Sequence, residues 1–510
     1  MSAWSEGYVS DINYTYGYYQ ELNPQRVIIP FLMAGLTPPN IQNACELGFG
    51  QGVSLNIHAM AGNAKWYGTD FNPSHAFFAQ NMANQSDADK VYISDQGFKE
   101  FCAREDLPEF DFIGLHGIWS WISDENRDII VDFLRRKLKV GGVLYISYNT
   151  LPGWAAASPI RHLLVEHERI MSSSAHHRAQ NAKSALEASK QILELSQRLC
   201  NTTPTLIPKI NELVGMDPHY LAHEYLNKDW QPMYFSQVEA LLESAKLNYA
   251  CSVRYLEDFP ECLFDSEQQE YFKTIENPSF AQTIKDYMLN KQFRCDYWVK
   301  GQHKLNLAET AEIWKKLNVL MIMKRSEVSM TVSAYRITNL MPEIFDPILD
   351  ILADNKIHSV ADILTEVDGK VSDSAVFNAL ALLYGKNDIL LAQPKEYIEQ
   401  ARPRCDALNR YLLEKAKIST EIYALASPVT GEGMLLGLLD QLFSLAHQDD
   451  IPHSEWEDFI WNILLNKGQR IVKDNQTLED EAENREEIKR LQELFLVQKL
   501  PILQELGILK

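Results

Sequence analysis

Through the first 150 residues, short apolar runs alternate with stretches whose apolar positions recur at helical spacing. Ala44, Cys45 and Leu47 make the first run, and Val53, Leu55 and Ile57 continue it as a helix. Residues 65–67 and 90–95 predict a second and a third strand, and 110–116 is apolar enough for a central strand buried on both faces. Ser123 is placed to cap the next helix, whose apolar stripe is Ile129, Ile130, Phe133, Leu134 and Leu138. Gly141-Gly142 is expected to end that helix, with 143–149 as the fifth strand. Strands and helices alternating with short links predict an α/β fold built on a doubly wound parallel sheet.

After Trp154 the rhythm stops. Residues 158–200 read as long helix, first on Ile160, Leu163, Leu164 and Ile170 and then over 185–199. Phe235-Ser236 opens a helix through Val238, Leu241, Leu242 and Ala245, while 247–253 and 294–300 alternate like strands. These are expected to be the sixth and seventh strands of the same sheet. Residues 153–232 then become a helical insertion between two parts of one core, 23–152 and 233–301. Such an insertion leaves the sheet at the carboxyl ends of its strands, where ligands bind. It is expected to roof the site and to offer its exposed helices as a dimer contact; the plainer alternative is a separate helical domain. Further on, helices over 345–352, 359–364 and 374–383 followed by a strand at 388–391 resemble a winged-helix plan within 302–400. Basic residues are sparse there, which argues for protein contact or bracing over DNA reading. Residues 401–510 are expected to be mainly helical, with the acidic run 479–487 as a solvated face.

Composition narrows the function classes. A chain of 510 residues holds two to four domains, and a formal charge of −21 argues against nucleic acid as a substrate, because phosphate binding needs clustered Lys and Arg. The same charge suits a lysine-bearing partner. Seven cysteines without C-x-x-C spacing read as reduced thiols of a cytoplasmic protein. No apolar stretch approaches roughly 18 residues, so no membrane span is expected.

The candidate chemistry begins at Glu46-Leu47-Gly48-Phe49-Gly50-Gln51-Gly52. Glycines so spaced let a backbone turn sharply after a strand and pass close to a nucleotide. A pyrophosphate loop would read G-x-G-x-x-G, and the acid before this one would repel phosphates. A cation with a ribose and an adenine suits it better, and S-adenosylmethionine has a sulfonium, an ammonium, a ribose and an adenine. Asp70, at the end of the second strand, stands where nucleotide-binding sheets grip ribose hydroxyls, and Asp95, at the end of the third, is placed for the adenine amino group. Phe71, Gln96 and His116, beside or in register with these tips, complete the expected cofactor set. A glycine-rich turn without a ligand is the competing reading of the loop alone.

Four segments then carry a family resemblance: residues 46–52, Asp70-Phe71-Asn72-Pro73, Leu115-His116-Gly117-Ile118-Trp119-Ser120-Trp121-Ile122, and Ser147-Tyr148-Asn149-Thr150-Leu151-Pro152-Gly153-Trp154. Over about residues 8–300 the chain resembles class I S-adenosylmethionine-dependent methyltransferases of the bacterial group with a methyltransferase regulatory domain. The rickettsial outer-membrane-protein lysine methyltransferases belong to that group. The resemblance implies a Rossmann-like seven-stranded sheet, methyl transfer to a nucleophile, and lysine side chains of a protein as the acceptor; a small-molecule or glycan methyltransferase is the alternative, and a cofactor-binding regulator without chemistry a third.

Methyl transfer from a sulfonium is an in-line displacement, so the protein must align the nucleophile and keep it unprotonated. A lysine amine, with a free pKa of about 10.4, needs desolvation and loss of a proton. Tyr14, Tyr16, Tyr18 and Tyr19 precede the first helix near Asn23-Pro24, either as a lid over the cofactor or as a packing strap, with Tyr14 and Tyr18 singled out. His116 and Asn149 at two strand tips, with Tyr14, are the candidate catalytic groups; His116 reads equally as general base or hydrogen-bonding scaffold. Trp119, Tyr148 and Trp154, together with Tyr18 and the roof cluster His223-Glu224-Tyr225, are the candidate acceptor contacts. That cluster lacks H-E-x-x-H spacing, and no metal is expected.

Overall fold

The computed structural model describes residues 15–171, 178–216 and 225–510. Its centre is a seven-stranded sheet: β1 Asn43–Leu47, β2 Lys65–Thr69, β3 Val91–Ser94, β4 Phe110–Leu115, β5 Leu138–Asn149, β6 Leu247–Ser252 and β7 Phe293–Lys300, in the order β3-β2-β1-β4-β5-β7-β6. The first five strands are parallel, as the alternation predicts. β6 and β7 join the same sheet as expected, and β7 runs antiparallel to both β5 and β6, with Tyr145 opposite Tyr297. A period of two reveals a strand without revealing its direction.

Gly141-Gly142 does not end the helix Asp124–Lys137. That helix stops because Leu138 turns to extended geometry while its amide still donates to the Leu134 carbonyl. The chain passes straight into β5, whose register against β4 shifts after Leu138, and Gly141, at φ 81°, takes up the irregularity. Ser123 caps the same helix as expected, accepting from the Asn126 amide at 3.3 Å.

The two faces of the sheet bury different partners. One holds Cys45, Leu47, Ile113, Leu115, Leu144, Ile146 and Tyr148 against the helices Asp124–Lys137 and Phe235–Glu243. The other holds Ala44, Trp66, Phe112, Tyr145 and Tyr297 in one core with the helix Val53–Ala61 and the C-terminal region. There, Asn318–Met321 pairs with His358–Ser359 and with Ile389–Ala392, around helices Pro342–Ile351, Val360–Glu366 and Asp373–Gly385. The 22-residue helix Lys395–Ala416 lies along Val53–Ala61, with the Cys405 thiol on the Met60 carbonyl.

The segment after β5 leaves and returns at one place. Thr150 bridges Met233, the Leu151 amide donates to Met233 at 3.2 Å, and the Met233 amide donates to Asn149 at 3.0 Å. Between these ends, helices Ser158–Met171, Arg178–Leu195 and Leu206–Val214 enclose a separate core of Ile160, Leu164, Ala185, Leu186, Ile210 and Leu213. Among the described residues no helix is long and apolar enough to cross a membrane.

Candidate active site

The turn after β1 depends on its glycines. Gly48, Gly50 and Gly52 have φ of 78°, 56° and 68°, a region that side chains disfavour. A Cβ on Gly48 would collide with the Ile118 side chain, and one on Gly52 would stand 2.6 Å from the Ala79 Cβ. The Gly48 amide donates to the Thr69 carbonyl at 2.8 Å, which ties the turn to β2.

Asp70 knits the turn together. Its Oδ2 accepts from the Gly50 amide at 2.9 Å and its Oδ1 from the Asn72 amide at 3.0 Å, with His75 Nδ1 at 3.1 Å. Asn72 in turn caps the helix Pro73–Asn84, accepting from the Ser74 amide. Oδ2, with a single protein donor, keeps a second lone pair for a ligand hydroxyl. Phe71 fills the intervening turn, partly buried, and Asp95 is exposed just past β3.

Two polar atoms at this edge have no protein partner. Glu46 is buried at the end of β1 and its Oε2 makes no hydrogen bond; burial, then the charge of Asp70, pushes its carboxyl up to about 8. Gln96 Oε1 is likewise buried and unpartnered. Buried acceptors are normally satisfied, so two orphans beside a glycine turn mark a place where a ligand supplies the donors. An ammonium and the N–H and O–H groups of a nucleoside are donors of that kind.

At the β4 tip, His116 is held from two sides. Tyr145 Oη lies 2.7 Å from its Nδ1, and the Tyr19 ring stacks on it with centroids 4.0 Å apart. Burial lowers His116 to about 4, so its ring is neutral throughout the physiological range. The Gly117 amide donates to Ser147 Oγ and the Asn149 amide to Ser120 Oγ, both at 2.8 Å, stitching the tips of β4 and β5 together. Asn149 itself is buried at this tip.

Other candidates lie elsewhere. Trp119 and Tyr148 stand by the strand tips and are buried in the core under Asp124–Lys137, where Trp119 Nε1 has no hydrogen-bond partner. Tyr148 shares its sheet face with Leu144 and Ile146, and its hydroxyl donates to Asp296 at 3.0 Å. Tyr18 is a strap rather than a lid: its hydroxyl accepts from the Gly433 amide at 2.6 Å and sits 3.0 Å from His58 Nε2. Trp154 and Tyr225 pack edge to face, 6.2 Å apart, against the core of the helical insertion. Tyr14, His223 and Glu224 lie outside the described residues. The sequence marks Tyr19 only as one of four tyrosines in the N-terminal segment and does not mark Tyr145; the signal for Tyr145 was its parity in β5, which puts it on the face opposite Tyr148.

Comparison with known proteins adds to this geometry. The family described as "Predicted methyltransferase regulatory domain" matches residues 217–300, which end with β7. The uncharacterized protein sll1526 of Synechocystis sp. is 35% identical over 487 residues, spanning 94% of this chain and 95% of that protein. The chain belongs to that family. Its fold and regulatory domain are those of class I methyltransferases. The uncharacterized protein RP789 of Rickettsia prowazekii is 27% identical over 320 residues, 59% of this chain and 54% of its own. Among solved structures, PKMT2 of Rickettsia typhi in complex with AdoHcy superposes with a TM-score of 0.68 at 18% identity, over 95% of this chain and 98% of that one. That likeness extends the shared fold through the C-terminal region.

Proposed function

We propose that this methyltransferase moves a methyl group from S-adenosylmethionine to the side-chain amine of lysine in a protein acceptor. The observation that carries the cofactor reading is the unpartnered, buried Glu46 carboxyl beside the left-handed glycine turn. In this reading Glu46 meets the cofactor's positive end, Asp70 accepts from its ribose, Gln96 and Asp95 face its adenine, and Phe71 lies along it. When bound, the cofactor supplies the electrophilic methyl on its sulfonium.

The rest falls to the chain's own residues. His116, lowered to about 4, is a poor acceptor for a proton from an ammonium near 10, so its work is to orient through the Tyr145 bond and the Tyr19 stack. Asn149, at the neighbouring tip, offers a neutral amide to the incoming amine. Desolvation in this aromatic surround lowers the amine's hold on its proton. A lysine acceptor is supported by the family resemblance and by the charge of −21, which draws basic partners. All seven cysteines are free thiols, in keeping with a cytoplasmic setting. A homodimer through the helical insertion is part of the same reading.

Incubating the protein with methyl-labelled S-adenosylmethionine and a cell lysate tests it. The expected result is acid-stable label in protein, recovered as methyl-lysine on hydrolysis. Label recovered only in small molecules or glycans would replace the acceptor.

A further inference from the structure

Beyond His116 on the carboxyl edge of the sheet, away from the glycine turn, lie the tips of β5, β7 and β6. A cavity of about 450 Å³ opens there, a size typical of ligand sites. Its wall comes from three parts of the chain: Glu21 of the N-terminal strap, Arg254 just after β6, and Tyr335 and Tyr384 of the C-terminal region. The cavity adjoins the β4 tip through two short routes. Tyr19, which stacks on His116, stands two residues before Glu21. The Val253 amide donates at 2.9 Å to Cys295, whose thiol neighbours the Tyr145 hydroxyl bonded to His116.

The charges of the wall sort into two kinds. Glu257 is spent on the buried Lys291, and Arg26 on Glu432 at 2.6 Å. Glu21 and Arg254 make no hydrogen bond or ion pair with a described residue, although Arg254 lies over the Phe293 ring. Their fields reach the His116 ring with opposite sign, Glu21 favouring and Arg254 opposing its protonation. One carboxylate and one guanidinium without a hydrogen-bonded partner, Arg254 lying in the fields of Glu257 and Glu21, thus line a single recess with two phenol rings that face Lys291 and Arg26. A positively charged side chain with a carboxylate close by in the same chain suits both charges: the acid meets the ammonium, and the guanidinium takes the carboxylate.

We propose that this cavity receives the acceptor, with Glu21 meeting the lysine ammonium before it reaches His116 and Arg254 selecting an acidic residue beside that lysine. The proposal rests on the lysine reading above and adds the place, the flanking preference and a role for the C-terminal region, which supplies part of the wall.

The test uses the full chain saturated with S-adenosylhomocysteine and three blocked peptides: acetyl-Glu-Lys-Glu-amide, acetyl-Gln-Lys-Gln-amide and acetyl-Glu-norleucine-Glu-amide. Calorimetry of the natural protein should show the first binding about tenfold or more tighter than either of the others. Glu21→Gln should bring the lysine and norleucine peptides to within about twofold, and Arg254→Gln should do the same for the Glu- and Gln-flanked pair. Unchanged affinity for S-adenosylhomocysteine in both variants serves as the folding control. Equal binding of all three peptides to the natural protein, or preferences that survive in the variants, would overturn the proposal. Failure of the lysine reading looks different: the peptides then bind with the stated preferences, yet none is methylated when S-adenosylmethionine replaces the product. Methylation of lysine peptides with KM unchanged in both variants would keep that reading and sink the cavity.

Discussion

Glu46 enters the folded state carrying a proton. Its carboxyl is lifted to about 8 by burial and by Asp70, whereas an unfolded chain holds it near the ordinary value of about 4.3. For a group raised on folding, stability is fully present below the unfolded value and is lost as pH rises through the folded one. Thermal melting of the cofactor-free protein should therefore fall between about pH 5 and 9, and Glu46→Gln should flatten that fall. A cationic ligand reverses the preference. S-adenosylmethionine binding at pH 7 should expel up to about one proton, read as a dependence of calorimetric heat on buffer ionisation that Glu46→Gln removes. His116 carries a second expectation. Because its ring is neutral above about 4, the rate should show no limb from this residue between pH 5 and 8, and His116→Gln should lower turnover without changing the profile's shape. An inflection near pH 6 lost in the variant would make His116 the base after all. At this scale the sequence was most legible where chemistry is local: three alternate glycines and an acid after the second strand announce a backbone turn without any tertiary knowledge. The burial of Trp119 and Tyr148 was not legible, because an aromatic at a strand tip looks the same whether its face is core or cleft. The acidic run also hid Glu487, which is buried and ion-paired to Lys473 at 2.8 Å.

The helical insertion shows the balance for a whole element. Its helices announced themselves by periodicity, and its place after β5 followed from strand counting. What it buries did not follow, because partners depend on how its helices cross. It has its own core, yet Met171, Ile192 and Leu195 stand out to solvent, Leu195 with 85% of its surface exposed. Exposed apolar residues gathered on one unit suit contact with a second copy. Light scattering after gel filtration should give a dimer for the natural protein, and Met171→Glu with Leu195→Glu should give a monomer of unchanged helicity. Ile210→Ala, which opens a hole in the insertion's core, should cost about 2–5 kcal/mol locally and lower the first melting transition while the sheet's own transition stays in place. The antiparallel β7 and the irregular start of β5 were invisible for a related reason: alternation and glycine content report geometry within a strand, and pairing is decided by its neighbours.

Across the whole molecule the N-terminal strap is held by residues hundreds of positions away. Arg26 donates to Glu432 from Nε at 2.8 Å and to Asn387 Oδ1 at 2.9 Å, and Asn23 Nδ2 donates to the Gly431 carbonyl at 2.7 Å. These bonds fix the stretch that presents Tyr19 to His116, so the C-terminal region reaches the site through the strap. Arg26→Ala leaves Glu432 buried without its cation and should cost about 3–5 kcal/mol, with turnover falling as well; adding Glu432→Gln should restore part of the stability. A double variant no better than the single one would show that the pair does not act as a unit. None of this joint was legible in the sequence, where residues 302–510 offer helices and strands but no sign of what they grip. The central claim is that the glycine turn with Glu46 and Asp70 holds S-adenosylmethionine, and titrating the full chain with S-adenosylhomocysteine in a calorimeter tests it most directly. One molecule should bind per chain, and Asp70→Ala should weaken it by about 2–3 kcal/mol, some thirtyfold or more, through lost charge-assisted bonds to the ribose. No binding to the natural protein, or binding untouched in Asp70→Ala and Glu46→Gln alike, would contradict the account.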